Sequence, residues 1–435
     1  MKRLQRVLGM VACLVSLQVQ AKTQLTVMTS YPESVVSRFE EAFESRYPDI
    51  RLQILWRMPF DALPYLLQAR QGGVDVYWTP SQRNFLTLKA AGALGPIGID
   101  RKGLPEIIGG GRVSDPQHYY LASETAGYGL YYSPERLRQL GVQVPEQWRD
   151  LTDPRYQGEV ALPVPSGVGY AHMLVDQLLQ SEGWVAGWNL WRAIARNSRL
   201  MMSRGNFVTD EVAAGRSAIG LTMDFFAQSS RARGAGGAFV YPRKTAFNPA
   251  QIAITAATPH RAEAELFVTF ILSEKGQSLL FLPDIRKLPI RPSVYAQAPE
   301  GYDNPFTLEA DLSYDAKKGI TRRGLNAVLF DAAITHQHAH LIEAWDLLEQ
   351  AQKDASPVER KRLDEAYAAL TSWPIEEPDE TSELARACVK RADEPVAEAA
   401  CAEAEQTWNR FFQKAYAQAI SISKEILAQR RVTEL

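Results

Sequence analysis

Cysteine is scarce in this chain: three in 435 residues, one of them (Cys13) inside the N-terminal apolar run. Cys388 and Cys401 remain, with no Cys-x-x-Cys spacing, which argues against a thiolate metal cage or a dithiol redox motif. In an oxidising compartment, an even pair this close in sequence is most simply one local disulfide. Charge of either sign is not in excess either. The formal net charge is -2, with no large basic block, which argues against non-specific nucleic-acid binding. Beyond the N-terminus no stretch is apolar enough for a membrane helix. Catalytic signatures are missing as well: no Gly-x-Ser-x-Gly elbow, no His-Glu-x-x-His, no phosphate loop ending in Gly-Lys-Ser/Thr. Gly167-Val168-Gly169 lacks the third glycine of a dinucleotide fingerprint. Nothing supports an enzyme, a metal or a cofactor.

What is present begins with an export signal over residues 1–21. Lys2, Arg3 and Arg6 form its basic start, Val7 to Val19 its apolar middle, and Val19-Gln20-Ala21 its cleavage site. Met10-Val11-Ala12-Cys13 loosely fits a lipid-attachment box, but the apolar run continues past Cys13. The expected product is soluble and periplasmic. The roughly 400 residues that follow exceed one compact core, so more than one domain is expected.

From Gln24 the chain alternates strand and helix. Leu25–Met28, Arg51–Trp56 and Val74–Trp78 read as strands; Glu33–Arg46, Phe60–Gln71 and Gln82–Ala91 read as helices. This order predicts an α/β fold with a parallel sheet, whose ligands sit where strands hand over to helices. A second block has strands at Leu130–Tyr132, Val160–Pro163, Ala218–Leu221 and Ala238–Tyr241, with helices Tyr170–Leu179 and Trp184–Ala195. Strand Ile252–Ala256 and helix Ala262–Leu272 then read as a return to the first lobe. The expectation is a discontinuous first lobe (22–122 plus 250–324) and a second lobe (123–249), with crossings near Ser123 and Pro249. Beyond Leu325 composition shifts to Ala, Glu, Gln, Lys and Arg, predicting an all-α appendage over 325–435. Its expected helices are Leu325–Gln352, Pro357–Thr371, Thr381–Lys390 and Val396–Gln429, with Cys388–Cys401 stapling the turn at Pro395.

Two helix starts look ready to hold an anion, because unpaired N–H groups and the helix dipole collect there. One is Thr29-Ser30-Tyr31, between the first strand and first helix; the other is Ser166, Gly167 and Gly169, after Val160–Pro163. Simple N-capping is the alternative for both, but ligand contact is the expected role because they lie at the strand ends where ligands bind. Thr79, Ser81 and Arg83 follow the third strand, where Arg83 can meet a carboxylate or phosphate in bidentate fashion. Thr125 falls on a crossing strand, and Arg204, Asn206 and Asp224 are further candidates for the cleft. Asp224 equally serves as a helix cap. His336 and His340 share a helix face, yet no adjacent carboxylate completes a zinc set.

Several motifs resemble the bacterial extracellular solute-binding proteins of the type 2 periplasmic fold, in the branch near ferric-ion receptors. They are Pro145-x-x-Trp148-x-Asp150-Leu151-x-Asp153-Pro154-x-Tyr156-x-Gly158, Pro165-Ser166 with His172, Gly183-Trp184-x-Ala186-Gly187-Trp188, Ser203-Arg204, Leu272-Ser273-x-Lys275-Gly276-Gln277 and Phe330-Asp331-x-Ala333-Ile334. The resemblance implies a monomeric receptor that closes on a small solute and presents it to an ABC permease or a membrane sensor kinase. An organophosphate-type anion, such as a phosphorylated three-carbon acid, is the leading ligand class. A ferric receptor is the alternative, although the loop near Asp224 carries Phe225-Phe226 where iron ligation needs tyrosines. A non-binding adaptor acting through the helical tail is the other.

Overall fold

The computed structural model describes residues 22–109, 111–202, 206–308, 312–379, 381–391 and 395–433. Residues 1–21, where the export signal is expected, and the candidate Arg204 lie outside the described residues, as does the side chain of Asn206 at the start of helix Asn206–Ala213.

The first lobe is built on parallel strands in the order Ile50–Trp56, Thr23–Thr29, Val76–Thr79. Their apolar residues fill both faces: Leu25 and Val27 pack under helix Glu33–Arg46, while Met28 and Tyr77 pack against Leu66 and Phe85. Burial on both faces is what a parallel sheet covered by helices requires. The helix expected over Phe60–Gln71 is shorter, Pro59–Leu66. Arg70, Gln71 and Gly72 adopt left-handed backbone angles that end it.

Strand Phe247–Thr255 runs antiparallel beside Val76–Thr79 and pairs on its other edge with the long strand Leu121–Tyr132. That long strand belongs to both lobes. Residues Leu121–Gly127 pair with Phe247–Thr255, and Tyr128–Tyr132 pair with Ile219–Met223. Strands Val160–Pro163 and Ser198–Met201 complete the second lobe. One twelve-residue strand thus carries the chain from one lobe into the other, with Thr125 and Asn248 near the crossover.

The C-terminal helices are Ala316–Phe330, His338–Gln352, Pro357–Thr371, Glu383–Lys390 and Pro395–Thr433, and Cys388 is bonded to Cys401 across the last two. The first helix starts ahead of the expected Leu325. Its opening stretch, Ala-Lys-Lys-Gly-Ile-Thr-Arg-Arg-Gly, has no apolar stripe to reveal it, and Asp315 caps it by accepting the Lys318 N–H at 3.0 Å. A π-turn over Asp331–Thr335 interrupts what reads as one helix, and the Tyr416 hydroxyl donates to the Ala333 carbonyl there at 2.7 Å.

These helices do not form an appendage with a core of their own. Leu162, Trp188 and Trp191 of the second lobe share one continuous core with Leu325, Phe330 and Phe412. Trp188 stacks on Trp373 with ring centroids 5.2 Å apart, and the Arg192 guanidinium lies 4.2 Å over the same indole. The amphipathic stripes of the extension are buried by the second lobe, which is why the extension is held there.

Candidate functional site

Thr29 and Thr79 end neighbouring parallel strands and are fully buried. Thr29 Oγ1 accepts the Tyr31 N–H at 3.1 Å, and the hydroxyls of Ser30 and Thr79 are hydrogen-bonded to each other. Tyr31 is buried too, donating its phenolic O–H to Glu124 Oε1 at 2.7 Å. Burial first, then the Glu124 carboxylate, raises the Tyr31 phenol well above its ordinary range. Lys287 Nζ completes this group, 3.0 Å from Glu124 Oε1 and 4.4 Å over the ring of Phe225 from the opposite lobe. The loop after the first strand is therefore internal framework, with its hydroxyls engaged by protein.

The loop after the third strand is different. Ser81 begins helix Gln82–Ala90 without a side-chain capping bond, and Arg83 follows in the first turn. Both line a cleft of about 200 Å³. Gly169, Tyr170 and His172 of the second lobe line it too, together with Asn248 and Tyr128. Among the described residues Arg83 has no ion-pair partner.

Ser166 and Gly167 stand outside this lining. The N–H groups of Gly167 and Val168 both donate to the Val164 carbonyl, at 3.1 and 2.9 Å, so the turn consumes them. A Cβ at Gly167 would sit 1.8 Å from the Met202 carbonyl oxygen, so glycine there permits the turn to approach the neighbouring strand end. Gly169 does line the cleft, and helix Ala171–Glu182 begins just beyond it. Thr125 is buried with its hydroxyl unpartnered.

The extension supplies the rest of the wall. Tyr314, Gly319, Ile320 and Arg323, on and just before helix Ala316–Phe330, line the same cleft. Like Arg83, Arg323 has no ion-pair partner among the described residues. Burial and then the Arg83 charge lower its pKa. Burial, followed by Arg323, pushes His172 down to about 4, so its ring is neutral at pH 7. Among the described residues no carboxylate lines the cleft. The guanidinium groups of Arg83 and Arg323 share it.

Sequence reasoning selected Arg83 but not Arg323, Tyr314 or His172. Arg322 and Arg323 are adjacent, and neighbours on a helix point about 100° apart. One faces the core and the other the cleft. The Arg-Arg pair in a helix with few apolar residues was the available signal.

Asp224 lies behind the cleft, fully inside the protein at the head of helix Asp224–Ala232. Its Oδ2 accepts from the Gly127 N–H at 2.5 Å and the Tyr241 hydroxyl at 2.8 Å, joining the second lobe to the crossing strand. Its Oδ1 accepts the N–H of the adjacent Phe225 at 2.6 Å; the cap position itself falls on Met223, so the expected capping by Asp224 is not what the helix start uses. Burial pushes this carboxyl up to about 7 from 3.8 in spite of those bonds, with Asp303 adding a smaller upward push. The folded chain therefore binds the proton more tightly than the unfolded one. The corresponding stability is complete below pH 3.8 and disappears as pH rises through about 7. Asp224→Asn removes this titration, so its stability relative to the parent chain is expected to climb from pH 5 to pH 8 by on the order of 2 kcal/mol. Urea unfolding at each pH measures it, and a difference that stays constant across the series refutes it.

Of the three clustered histidines, His338 Nε2 lies 2.8 Å from the Ala195 carbonyl, and His336 and His340 contact Asn409 and Gln337. Phe225 and Phe226 pack with ring centroids 4.3 Å apart, and Phe226 meets Tyr170.

Residues 104–302 match the family model of a bacterial extracellular solute-binding protein. The phosphoglycerate transport regulatory protein PgtC of Salmonella typhimurium is 30% identical over 261 residues, which are 59% of this chain and 63% of that protein. The chain thus spans somewhat under two thirds of that relative's length. Two solved structures share the fold. AfuA from Actinobacillus pleuropneumoniae, with fructose-6-phosphate bound, superposes with TM-score 0.51 at 18% identity, over 67% of this chain and 94% of its own. Iron-bound HitA from Pseudomonas aeruginosa gives TM-score 0.55 at 17% identity, over 67% and 92%.

Proposed function

We propose that this chain, a bacterial extracellular solute-binding protein by family, captures a small anionic solute between its lobes without transforming it. Its compartment is the periplasm, and it presents the solute to a permease or sensor kinase in the inner membrane. The observation that carries the reading is the cleft that Arg83 of the first lobe and Arg323 of the extension both line, with no carboxylate among its described lining residues. Like charges held together in a partly desolvated space favour an occupant that neutralises them. A phosphorylated three-carbon acid suits the small volume, and the resemblance to PgtC points the same way. Closure follows from binding, because a solute touching both walls stabilises only the state in which both can reach it.

The test is a thermal-shift and calorimetric panel of 3-phosphoglycerate, phosphoenolpyruvate, glycerate, fructose 6-phosphate and ferric citrate. At a hundredfold excess over Kd, a true ligand adds about 2.7 kcal/mol of apparent stability. Arg83→Ala is expected to weaken the best organophosphate by about tenfold or more, the ~1.5–3 kcal/mol of a charge-assisted hydrogen bond. Indifference to every organic anion, or a response to ferric citrate alone, refutes the proposal.

A further inference from the structure

We infer that the helical extension is itself part of the recognition site, and that its Arg323 selects a doubly charged phosphoryl group over a lone carboxylate. This rests on the receptor reading above but goes beyond it, since the family match ends at residue 302, ahead of the extension.

Tyr302, Phe306 and Leu308 pack on the first-lobe core, whereas Leu312 and Tyr314 pack on that of the second. Helix Ala316–Phe330 then lies against helix Ala171–Glu182, which begins at the cleft. The contact is close, for a Cβ on Gly319 would fall 2.1 Å from the Tyr314 hydroxyl and 2.8 Å from Asp176 Oδ2. Arg322 fastens it: its Nε donates to Asp176 Oδ1 at 2.5 Å, and Asn326 Nδ2 donates to the same oxygen at 2.9 Å. With Arg322 locked inward, Arg323 is presented to the cleft by a helix that cannot easily slide.

The charge count then discriminates among anions. His172 is neutral, and the Tyr170 hydroxyl is committed to the Leu221 carbonyl at 3.1 Å, so among the described residues the cationic side chains lining the cleft are Arg83 and Arg323. A phosphoryl dianion balances two guanidinium groups and offers oxygens to both. A single carboxylate balances one and leaves the other repelled.

Calorimetry on the full-length protein with 3-phosphoglycerate and with glycerate, in phosphate-free buffer, tests this. Arg323→Ala is expected to weaken 3-phosphoglycerate by at least about tenfold while changing glycerate by less than about twofold, and Arg323→Lys is expected to recover part of the loss. The ligand-free Arg323→Ala protein should melt no lower than the parent, because a like-charge contact with Arg83 has been removed. Arg323→Gln, of similar length and uncharged, serves if the alanine variant does not fold. Equal losses for both probes, or a loss under about twofold for 3-phosphoglycerate, overturn the inference. If Arg83→Ala abolishes binding while Arg323→Ala spares it, the receptor reading survives alone. A parent chain that ignores every phosphorylated probe overturns both.

Discussion

Asp176→Ala is expected to lower the unfolding free energy by about 3–5 kcal/mol, the cost of stripping one partner from a buried ion pair. Side-chain exposures of 2% for Arg322 and 1% for Asp176 leave no water to take over the lost interaction. Asp176 also accepts from Asn326 and, through Oδ2, from Gln180 Nε2 at 2.7 Å, so several donors lose their acceptor together. Glu377, 2.5 Å from Arg322 Nη1, retains part of the charge balance but is itself 37% exposed, which sets the effect toward the lower end. Guanidinium unfolding measures the change. The double variant Asp176→Leu/Arg322→Met should regain most of it, because replacing both charges with apolar groups removes the desolvation penalty along with the attraction. A single-variant loss below about 1 kcal/mol contradicts the claim that this pair fastens the extension.

Trp188→Ala should cost a similar ~3–5 kcal/mol, as large-to-small changes of buried aromatics do. What makes the site informative is its position. Trp188 is fully buried, meets Trp184 edge-on at 5.7 Å within its own helix, and stacks on Trp373 from the extension. If second lobe and extension share one core, the variant must lower the stability of both by the same amount. Tryptophan fluorescence and far-ultraviolet circular dichroism should then report coincident transitions, before and after the substitution. An early helical transition that leaves the rest of the chain folded refutes the single core. Trp188→Phe, which retains a ring against Trp373, should cost distinctly less.

Local patterns were legible where local physics decides. Helix Glu33–Arg46 follows from the spacing of Val36, Phe39 and Phe43, and strand Val160–Pro163 from a short apolar run between turn residues. The helix after Pro59 was overestimated because Gln68 to Gln71 has acceptable helix formers, while the left-handed backbone there is imposed by the turn toward the next strand. Of the long strand Leu121–Tyr132 local pattern revealed only Leu130–Tyr132; Ser123-Glu124-Thr125-Ala126-Gly127, expected on a crossing strand, has little strand propensity, and pairing with Phe247–Thr255 supplies what propensity does not.

The candidate site divides along the same line. That hydroxyls and an arginine stand where strands hand over to helices is a property of residue order, and it led to Ser81 and Arg83. Whether a hydroxyl meets a guest or a neighbour depends on atoms far away in the chain. Thr79 faces Ser30 across the sheet, Tyr31 reaches Glu124, and Gly127 reaches Asp224. Arg323 is the sharpest case. Periodicity could say that it and Arg322 leave the helix in different directions, but the packing of that helix on Ala171–Glu182 chose which one is buried and which one enters the cleft. Direction along a helix is a local quantity; what lies in that direction is set by long-range packing.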